Sequence, residues 1–125
     1  MLMPRSTRHQ LTMRNRTSVS SEMLPGALEV LILKVLARGA AHGYAIARTI
    51  EHASADVLQV GESSLYPALQ RLVVNGWAVA DWGESELRRR ARIYTITPAG
   101  RKRLLNETEE FARMADAIIA ILQRA

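Results

Sequence analysis

The most concentrated chemistry in the sequence is a run of basic side chains that contains no acid. Seven basic residues and no Asp or Glu lie between positions 87 and 106. They are Arg88, Arg89, Arg90, Arg92, Arg101, Lys102 and Arg103. Guanidinium groups without acidic neighbours repel one another, so the cluster at 88–92 favours an anionic partner such as DNA phosphate over a merely solvated surface. For residues 101–103 an intrahelical pair of Arg103 with Glu107 and a weak contact with the DNA backbone both remain open.

A second set of polar groups lies upstream at helical spacing. If a helix covers about 65–75, its apolar residues Leu65, Leu69, Leu72 and Val73 share one face at 100° per residue. The opposite face then carries Ser63, Ser64, Pro67, Gln70, Arg71 and Val74, with Tyr66 at its flank. Arg and Gln are side chains that read guanine and adenine in the major groove. An ordinary solvated face has the same composition, so this helix alone does not decide between the two interpretations.

No constellation of residues points to catalysis, a metal or a cofactor. The sequence has no cysteine, and His9, His42 and His52 lack metal-ligand spacing, so we expect no metal site. Ser63 and Ser64 have no partnered base and predict a helix N-cap rather than a nucleophile. His42 precedes a glycine at a predicted helix start and is expected to form a local hydrogen bond. We therefore expect neither an enzyme nor a bound cofactor.

The charge is distributed unevenly along the 125 residues. The net charge is +5, and Arg5, Arg8, Arg14 and Arg16 supply four of these charges in an acid-free segment. Residues 1–22 are polar and aperiodic, which predicts a disordered basic arm. This arm is a solvated tail, a contact to DNA phosphates, or a misassigned start. The rest of the chain is nearly neutral, so bulk charge alone does not argue for a nucleic-acid partner.

Three short helices are predicted before the basic cluster. The first covers about 24–38, is apolar nearly all round and is therefore expected at the centre of the core. The second covers about 44–53, and the third covers about 65–75 and ends at Gly76. Pro67 is expected in the first turn of the third helix, where its missing N–H leaves no bond unmade. A short strand at 57–60 is possible before it.

A hairpin and a long helix complete the chain. Residues 77–82 and 90–97 predict two paired strands, and residues 83–89 predict the loop between them. The two tryptophans of the first strand are expected to pack between the hairpin and the core. The last helix, about 98–124, begins at Thr97 and Pro98. Its apolar seam is Leu104, Phe111, Met114, Ala115, Ile118, Ile121 and Leu122. The domain before it is too small to cover that length, so we expect a second copy of the chain on the seam.

These elements predict a mostly α fold with a small β-hairpin, namely a winged helix-turn-helix followed by a long C-terminal dimerisation helix. The expected divisions are a disordered arm (1–22), a DNA-binding domain (23–97) and a dimerisation helix (98–125). In this architecture the third helix enters the major groove and the hairpin forms the wing. No apolar run is long enough for a membrane span and no signal peptide is visible, so we expect a cytoplasmic protein without a membrane partner.

Five stretches of the sequence resemble the PadR family of bacterial transcriptional regulators, in its short form with one C-terminal helix. The stretches are LPGALEVLILK (24–34), HGYAI (42–46), SLYPALQRL (64–72), GW (76–77) and RRARIYTITPAG (89–100). They occur in the family's order and spacing over almost all of 24–100. The family usually has glycine at the position of Ser63. That substitution alters the surface expected to face the operator.

The resemblance implies a homodimeric repressor that binds a palindromic operator on double-stranded DNA. By position it assigns Tyr66 and Pro67 to the recognition helix, Arg89 and Arg90 to the basic wing, and Tyr44 to a site near the phosphate backbone. It also implies a small-molecule effector in the cleft between subunits that releases the operator. The alternative from a different class is a winged-helix protein-interaction module that binds no DNA.

Overall fold

The computed structural model describes residues 18–20, 26–85 and 88–124. The elements in chain order are β1 (Val19–Ser20), α1 (Ala27–Arg38), β2 (Ala41–His42), α2 (Gly43–Ala53), β3 (Leu58–Gln59), α3 (Glu62–Val74), β4 (Ala78–Glu84), β5 (Arg90–Ile96) and α4 (Pro98–Leu122). The predicted fold class is confirmed: the chain is mostly helical, with a small antiparallel sheet and a long C-terminal helix.

The first helix lies at the centre of the core, as its apolar circumference predicts. Helix α1 buries Leu28, Ile32, Leu33 and Leu36 and contacts α2, α3, β5 and α4. The other elements contribute one apolar face each. Helix α2 contributes Ile46, Ala47 and Ile50, and α3 contributes Leu65, Ala68, Leu69 and Leu72. The β4–β5 hairpin contributes Ala78, Tyr94 and Ile96, and α4 contributes Leu104. An aliphatic core of this kind fixes α2, α3 and the β4–β5 hairpin relative to one another.

The hairpin is longer than the sequence predicts. Strands β4 and β5 pair antiparallel over seven positions, from Ala78 opposite Ile96 to Glu84 opposite Arg90. Gly83 and Glu84, which the sequence placed in the loop, therefore belong to β4, because they continue the ladder of hydrogen bonds. A third strand, β2, pairs antiparallel with β5 on its other edge. The sequence did not predict β2, since two residues are too short to show a period.

Part of the predicted disordered arm forms a strand. Within the segment 1–22, β1 pairs parallel with β3, with Val19 opposite Leu58 and Ser20 opposite Gln59. Strand β3 lies in the 57–60 stretch where the sequence indicated a possible strand. Residues 1–17 and 21–22 of the arm, which include its four arginines, lie outside the described residues.

Helix α3 begins earlier than predicted. Its N-cap is Gly61, which has no capping side chain, whereas Ser63 or Ser64 was expected there. The backbone N–H groups of Ser64 and Leu65 both donate to the Gly61 carbonyl, which starts the helix at Glu62. Pro67 consequently lies inside the helix rather than in its first turn.

Two predicted helix boundaries are confirmed. Gly76 follows the end of α3 with φ +77°, a left-handed conformation that favours glycine. Thr97 caps α4 by accepting a hydrogen bond from the Gly100 N–H at 3.0 Å, and Pro98 is the first helical residue. Helix α4 is about 37 Å long at 1.5 Å per residue, and only Gly100 and Leu104 of it are buried. No helix in the described ranges has the length and apolarity needed to cross a membrane.

Candidate nucleic-acid interface

The basic hairpin and the polar face of α3 meet at one concave surface. A cavity of about 750 Å³ separates them, and we call it the basic groove. It is lined by His42, Gly43, Tyr44, Tyr66, Gln70, Trp82, Ser85, Arg89, Arg90, Ala91, Arg92 and Tyr94. Helix α2, helix α3 and the hairpin all contribute, so side chains distant in sequence come together in space.

Helix α3 presents the two faces that its spacing predicts. Leu65, Leu69 and Leu72 are buried and Val73 is half-buried. On the opposite face Ser63, Pro67, Gln70, Arg71 and Val74 are exposed, and Ser64 is half-buried. Tyr66 at the flank is 46% exposed. Of these residues, Tyr66 and Gln70 line the basic groove.

The start of α2 forms the floor of the groove next to Tyr66. A Cβ atom built on Gly43 would lie 3.0 Å from Cε1 and 3.1 Å from Oη of Tyr66, so the ring packs directly on this glycine. His42 caps α2, because its Nδ1 accepts a hydrogen bond from the Ala45 N–H at 3.4 Å. The local hydrogen bond predicted for His42 is thus confirmed. Tyr44 follows as an exposed ring beside the positive end of the helix.

One face of the hairpin carries alternating arginine and aromatic side chains. In the β4–β5 register Tyr94 is opposite Ala80, Arg92 is opposite Trp82 and Arg90 is opposite Glu84. Residues two apart on a strand share a face, and so do directly opposed residues. The Cζ atom of Arg90 lies 4.7 Å from the centroid of a Trp82 ring, and that of Arg92 lies 5.8 Å from the Tyr94 ring. Each guanidinium therefore stacks on an aromatic ring that points to the same side.

Among the described residues, the arginines of the hairpin form no ion pair with an acid. The described residues contain four ion pairs: Arg48–Glu51, Arg71–Glu29, Arg103–Glu107 and Arg113–Glu110. None of these pairs includes Arg88, Arg89, Arg90 or Arg92, which are all exposed. Arg89 and Arg90 line the groove with Arg92, whereas Arg88 lies at the loop with φ +60° and does not line it. The groove therefore keeps an unbalanced positive charge.

Arg71 has a partner that the sequence did not predict. Its Nε donates to the Glu29 carboxylate on α1, although 42 positions separate the two residues. The ion pair directs the guanidinium toward α1. Gln70 is thus the member of the polar face that points into the groove, whereas Arg71 is paired with Glu29 of α1.

Two of the three basic residues at the start of α4, Arg101 and Arg103, form contacts within the chain. Arg103 pairs with Glu107 at 3.3 Å and stacks on Trp77, with its Cζ 4.4 Å from the ring. Arg101 donates to the Ala37 carbonyl near the C-terminal end of α1 at 3.5 Å, where the helix dipole favours a cation. These contacts support the intrahelical interpretation of Arg103 and explain the presence of arginines in the first turns.

The predicted dimerisation residues divide into two groups. Leu104 belongs to the core of the chain and anchors α4 to it. Phe111, Met114, Ile118, Ile121 and Leu122 are exposed, and Ala115 is half-buried. We call these six the α4 seam. Its five large side chains are each 44–77% exposed.

Trp82 is the residue of the groove whose position differs most from expectation. The sequence predicted both tryptophans between hairpin and core, yet Trp82 is 61% exposed and only Trp77 packs against the core. Trp82 lies opposite Arg92 and is not part of the core cluster. The spacing of Arg90, Arg92 and Tyr94, two residues apart on a strand, is the signal that could have shown a shared face. Among the described residues no group of three or more His, Cys, Asp or Glu could hold a metal ion.

Residues 32–106 match the model of the transcriptional regulator PadR-like family. Among solved structures, the chain is similar to a transcriptional regulator from Clostridium thermocellum, with 30% identity and a TM-score of 0.72; the match covers 83% of this chain and 100% of the other. It is also similar to a PadR-like transcriptional regulator from Bacillus cereus, with 25% identity and a TM-score of 0.68, covering 84% and 100%.

Two curated proteins without an assigned function are similar as well. An uncharacterized 37.1 kDa protein in a transposon of Streptomyces fradiae is 37% identical over 90 residues, which are 72% of this chain. The match spans only 24% of the length of that protein. An uncharacterized protein of Lysinibacillus sphaericus is 27% identical over 80% of this chain and 92% of its own length.

Proposed function

The chain belongs to the PadR-like family of transcriptional regulators, and we propose that it works as a homodimeric repressor that binds a palindromic operator on double-stranded DNA. The observation that carries the proposal is the basic groove. It combines the exposed face of α3 with three arginines that no acid neutralises in the described residues. Phosphates fix the position of a protein on DNA, and base edges supply the sequence information.

The proposed roles follow from the position of each side chain. Gln70, with Tyr66, Pro67, Ser63 and Ser64, reaches base edges from α3, because a helix of this kind fits the major groove. Arg89, Arg90 and Arg92 bind phosphates from the wing, and Arg88 extends this contact from the loop. Tyr44 lies at the start of α2 and approaches the backbone there. Arg71 contributes when its pair with Glu29 opens.

The dimer is proposed from the α4 seam. Exposed apolar side chains along one helix face favour burial against a second copy, and a twofold pair matches a palindromic site. Two copies of α3 should then lie about 34 Å apart, the distance between successive major grooves on one side of DNA. Footprinting should show two protected segments about one helical turn apart.

The test of DNA binding uses a charge-matched pair of variants. A gel shift on fragments selected from source DNA compares the wild type with Arg89→Ala plus Arg90→Ala. The control, Arg113→Ala plus Arg124→Ala, removes the same charge from the C-terminal half of α4 and the residues just after it. If all four wing arginines of a dimer bind phosphate, the slope of log K against log salt becomes shallower by about 3.6. The control should leave the slope unchanged.

Two results would count against the proposal. Equal salt slopes for both double variants would remove the wing from DNA binding. A wild-type dimer that selects no DNA even at low salt would favour the alternative function, a winged-helix module that binds a protein partner through the same surfaces.

For the effector that membership of the family suggests, we propose the cleft between the start of α1 and α4. A cavity of about 200 Å³ there is lined by Val30, Phe111 and Met114 among others. Phe111 and Met114 belong to the α4 seam, so a second copy of the chain would border this cleft. Val30→Phe fills this cleft without touching the basic groove. It should abolish release of DNA by a ligand found in a small-molecule screen and leave operator affinity unchanged. Release that persists in Val30→Phe would locate the effector elsewhere.

A further inference from the structure

We infer that Trp82 is a positioning residue for DNA binding, whose ring holds the guanidinium of Arg90 ready for a phosphate, as Tyr94 does for Arg92. The inference rests on the proposed DNA-binding function and adds to it the reason why two of the wing arginines are ordered before DNA is bound. It concerns Trp82 in particular, because Tyr94 is also part of the core.

The first argument concerns the side chain that the Arg90 guanidinium contacts. Glu84 lies directly opposite Arg90 at the end of the hairpin, where a cross-strand ion pair is favourable. The ion pairs of the described residues nevertheless do not include Arg90, and its Cζ lies 4.7 Å from the Trp82 ring centroid. The guanidinium is therefore ordered by an aromatic face and keeps its full charge, which a carboxylate would have cancelled.

The second argument is geometric compatibility. A guanidinium is planar: stacking uses its face, whereas its N–H groups lie at the edge. A phosphate accepts hydrogen bonds from that edge. Arg90 can thus remain on Trp82 while it binds a phosphate, so DNA binding does not have to break the stack. A carboxylate partner would occupy the same N–H groups that the phosphate needs.

The third argument is that Trp82 contributes little to the core. The side chain is 61% exposed, and the core cluster contains Trp77, Ala78 and Ala80 but not Trp82. Packing in the core therefore does not supply a reason for a large aromatic side chain at this position. Holding an arginine supplies one, because ordering a long side chain on binding otherwise costs affinity.

The test is a double-mutant cycle on operator affinity. Trp82→Ala should raise Kd by about two- to tenfold for each half-site, and thus by about four- to hundredfold for a dimer on a palindromic operator, the range expected from a lost cation–π contact and the cost of ordering one side chain. In an Arg90→Ala background the same substitution should have no further effect, because its target is gone. Trp82→Phe keeps a ring and should recover most of the affinity. Val79→Ala, at an exposed residue on the opposite face of β4, is the matched control and should leave Kd unchanged.

A second measurement examines the stack without DNA. In the NMR spectrum of the free wild-type protein, the Arg90 Nε–Hε signal should show an upfield ring-current shift that Trp82→Ala removes and Val79→Ala preserves. A signal at the ordinary position would overturn the inference whether or not the protein binds DNA. Equal losses of affinity in both arginine backgrounds would also overturn it, since Trp82 would then contact DNA itself. Failure of the wild type to bind any DNA, with the ring-current shift present, would instead refute the proposed function.

Discussion

Shortening Ile118 in the middle of the α4 seam should weaken the proposed dimer by a predictable amount. Full burial of an isoleucine side chain contributes about 1.5–3 kcal/mol. Since 48% of Ile118 is exposed, a second subunit would gain about half of this value, or about 1 kcal/mol, by covering it. A twofold interface repeats every contact, so Ile118→Ala should cost about 2 kcal/mol per dimer. The dimer Kd should therefore rise about 30-fold.

Analytical ultracentrifugation over a concentration series measures this change directly. Leu105→Ala is the matched control, because Leu105 is 68% exposed on the same helix but points away from the seam. It should leave the dimer Kd unchanged. The reasoning is refuted if the two variants dissociate equally, or if the wild type is monomeric at every concentration. At concentrations where Ile118→Ala is monomeric, operator affinity should fall although the basic groove is intact.

Three further variants test the packing of α4 and the reading face of α3. Gly100→Ala should lower the free energy of unfolding by at least about 1–3 kcal/mol in urea titrations, because the new Cβ would lie 2.1 Å from the Trp77 carbonyl oxygen. Thr97→Ala should lower it by about 1–2 kcal/mol, since the Thr97 hydroxyl both caps α4 and donates to the Gly76 carbonyl at 2.7 Å. Gln70→Ala should reduce discrimination at one base pair by about 1–3 kcal/mol in a binding-site selection, with non-specific affinity preserved.

Each of these three variants has a control variant that tests the stated cause of its effect. Gly61→Ala places a Cβ where no heavy atom lies within 4 Å, so a stability loss as large as that of Gly100→Ala would contradict the steric explanation. Thr97→Ser keeps the hydroxyl and should recover the stability. Arg71→Ala should change base preference less than Gln70→Ala, because Glu29 holds Arg71. A stronger effect of Arg71→Ala would mean that this ion pair opens on DNA.

The elements of the fold were predictable where the sequence has a clear apolar period or a residue that starts or ends a helix. The apolar circumference of α1, the left-handed Gly76 and the Thr97-Pro98 cap each predict a feature that the structure contains. The start of α3 was not predictable in the same way. Ser63 and Ser64 are good capping residues, but the Gly61 carbonyl begins the helix earlier and draws both serines into its first turn. The backbone hydrogen bonds to Gly61 therefore outweigh the capping propensity of the two serines.

Long-range partners are what the sequence could not supply. Nothing in the spacing of Glu29 and Arg71 relates them, because their pairing depends on how α3 packs against α1. Strand β2 is visible only as a partner of β5. The two-residue period of Arg90, Arg92 and Tyr94 was present, but its meaning depends on which residue of β4 lies opposite. That register, which places Trp82 across from Arg92, follows from a hairpin two residues longer than the turn signals indicate.

The positions of the paired and unpaired arginines indicate the proposed partner better than the number of arginines does. Arg48, Arg71, Arg103 and Arg113 each pair with a carboxylate. The wing arginines have no such partner in the described residues, and two of them stack on aromatic rings instead. Leaving charges together and unpaired costs repulsion in the free protein. That cost is recovered only when an anionic surface binds, so the arrangement favours phosphate over a structural role. Replacing Ala91, which lines the basic groove between Arg90 and Arg92, with glutamate should therefore stabilise the free protein and weaken DNA binding; a variant that strengthens both would contradict this account.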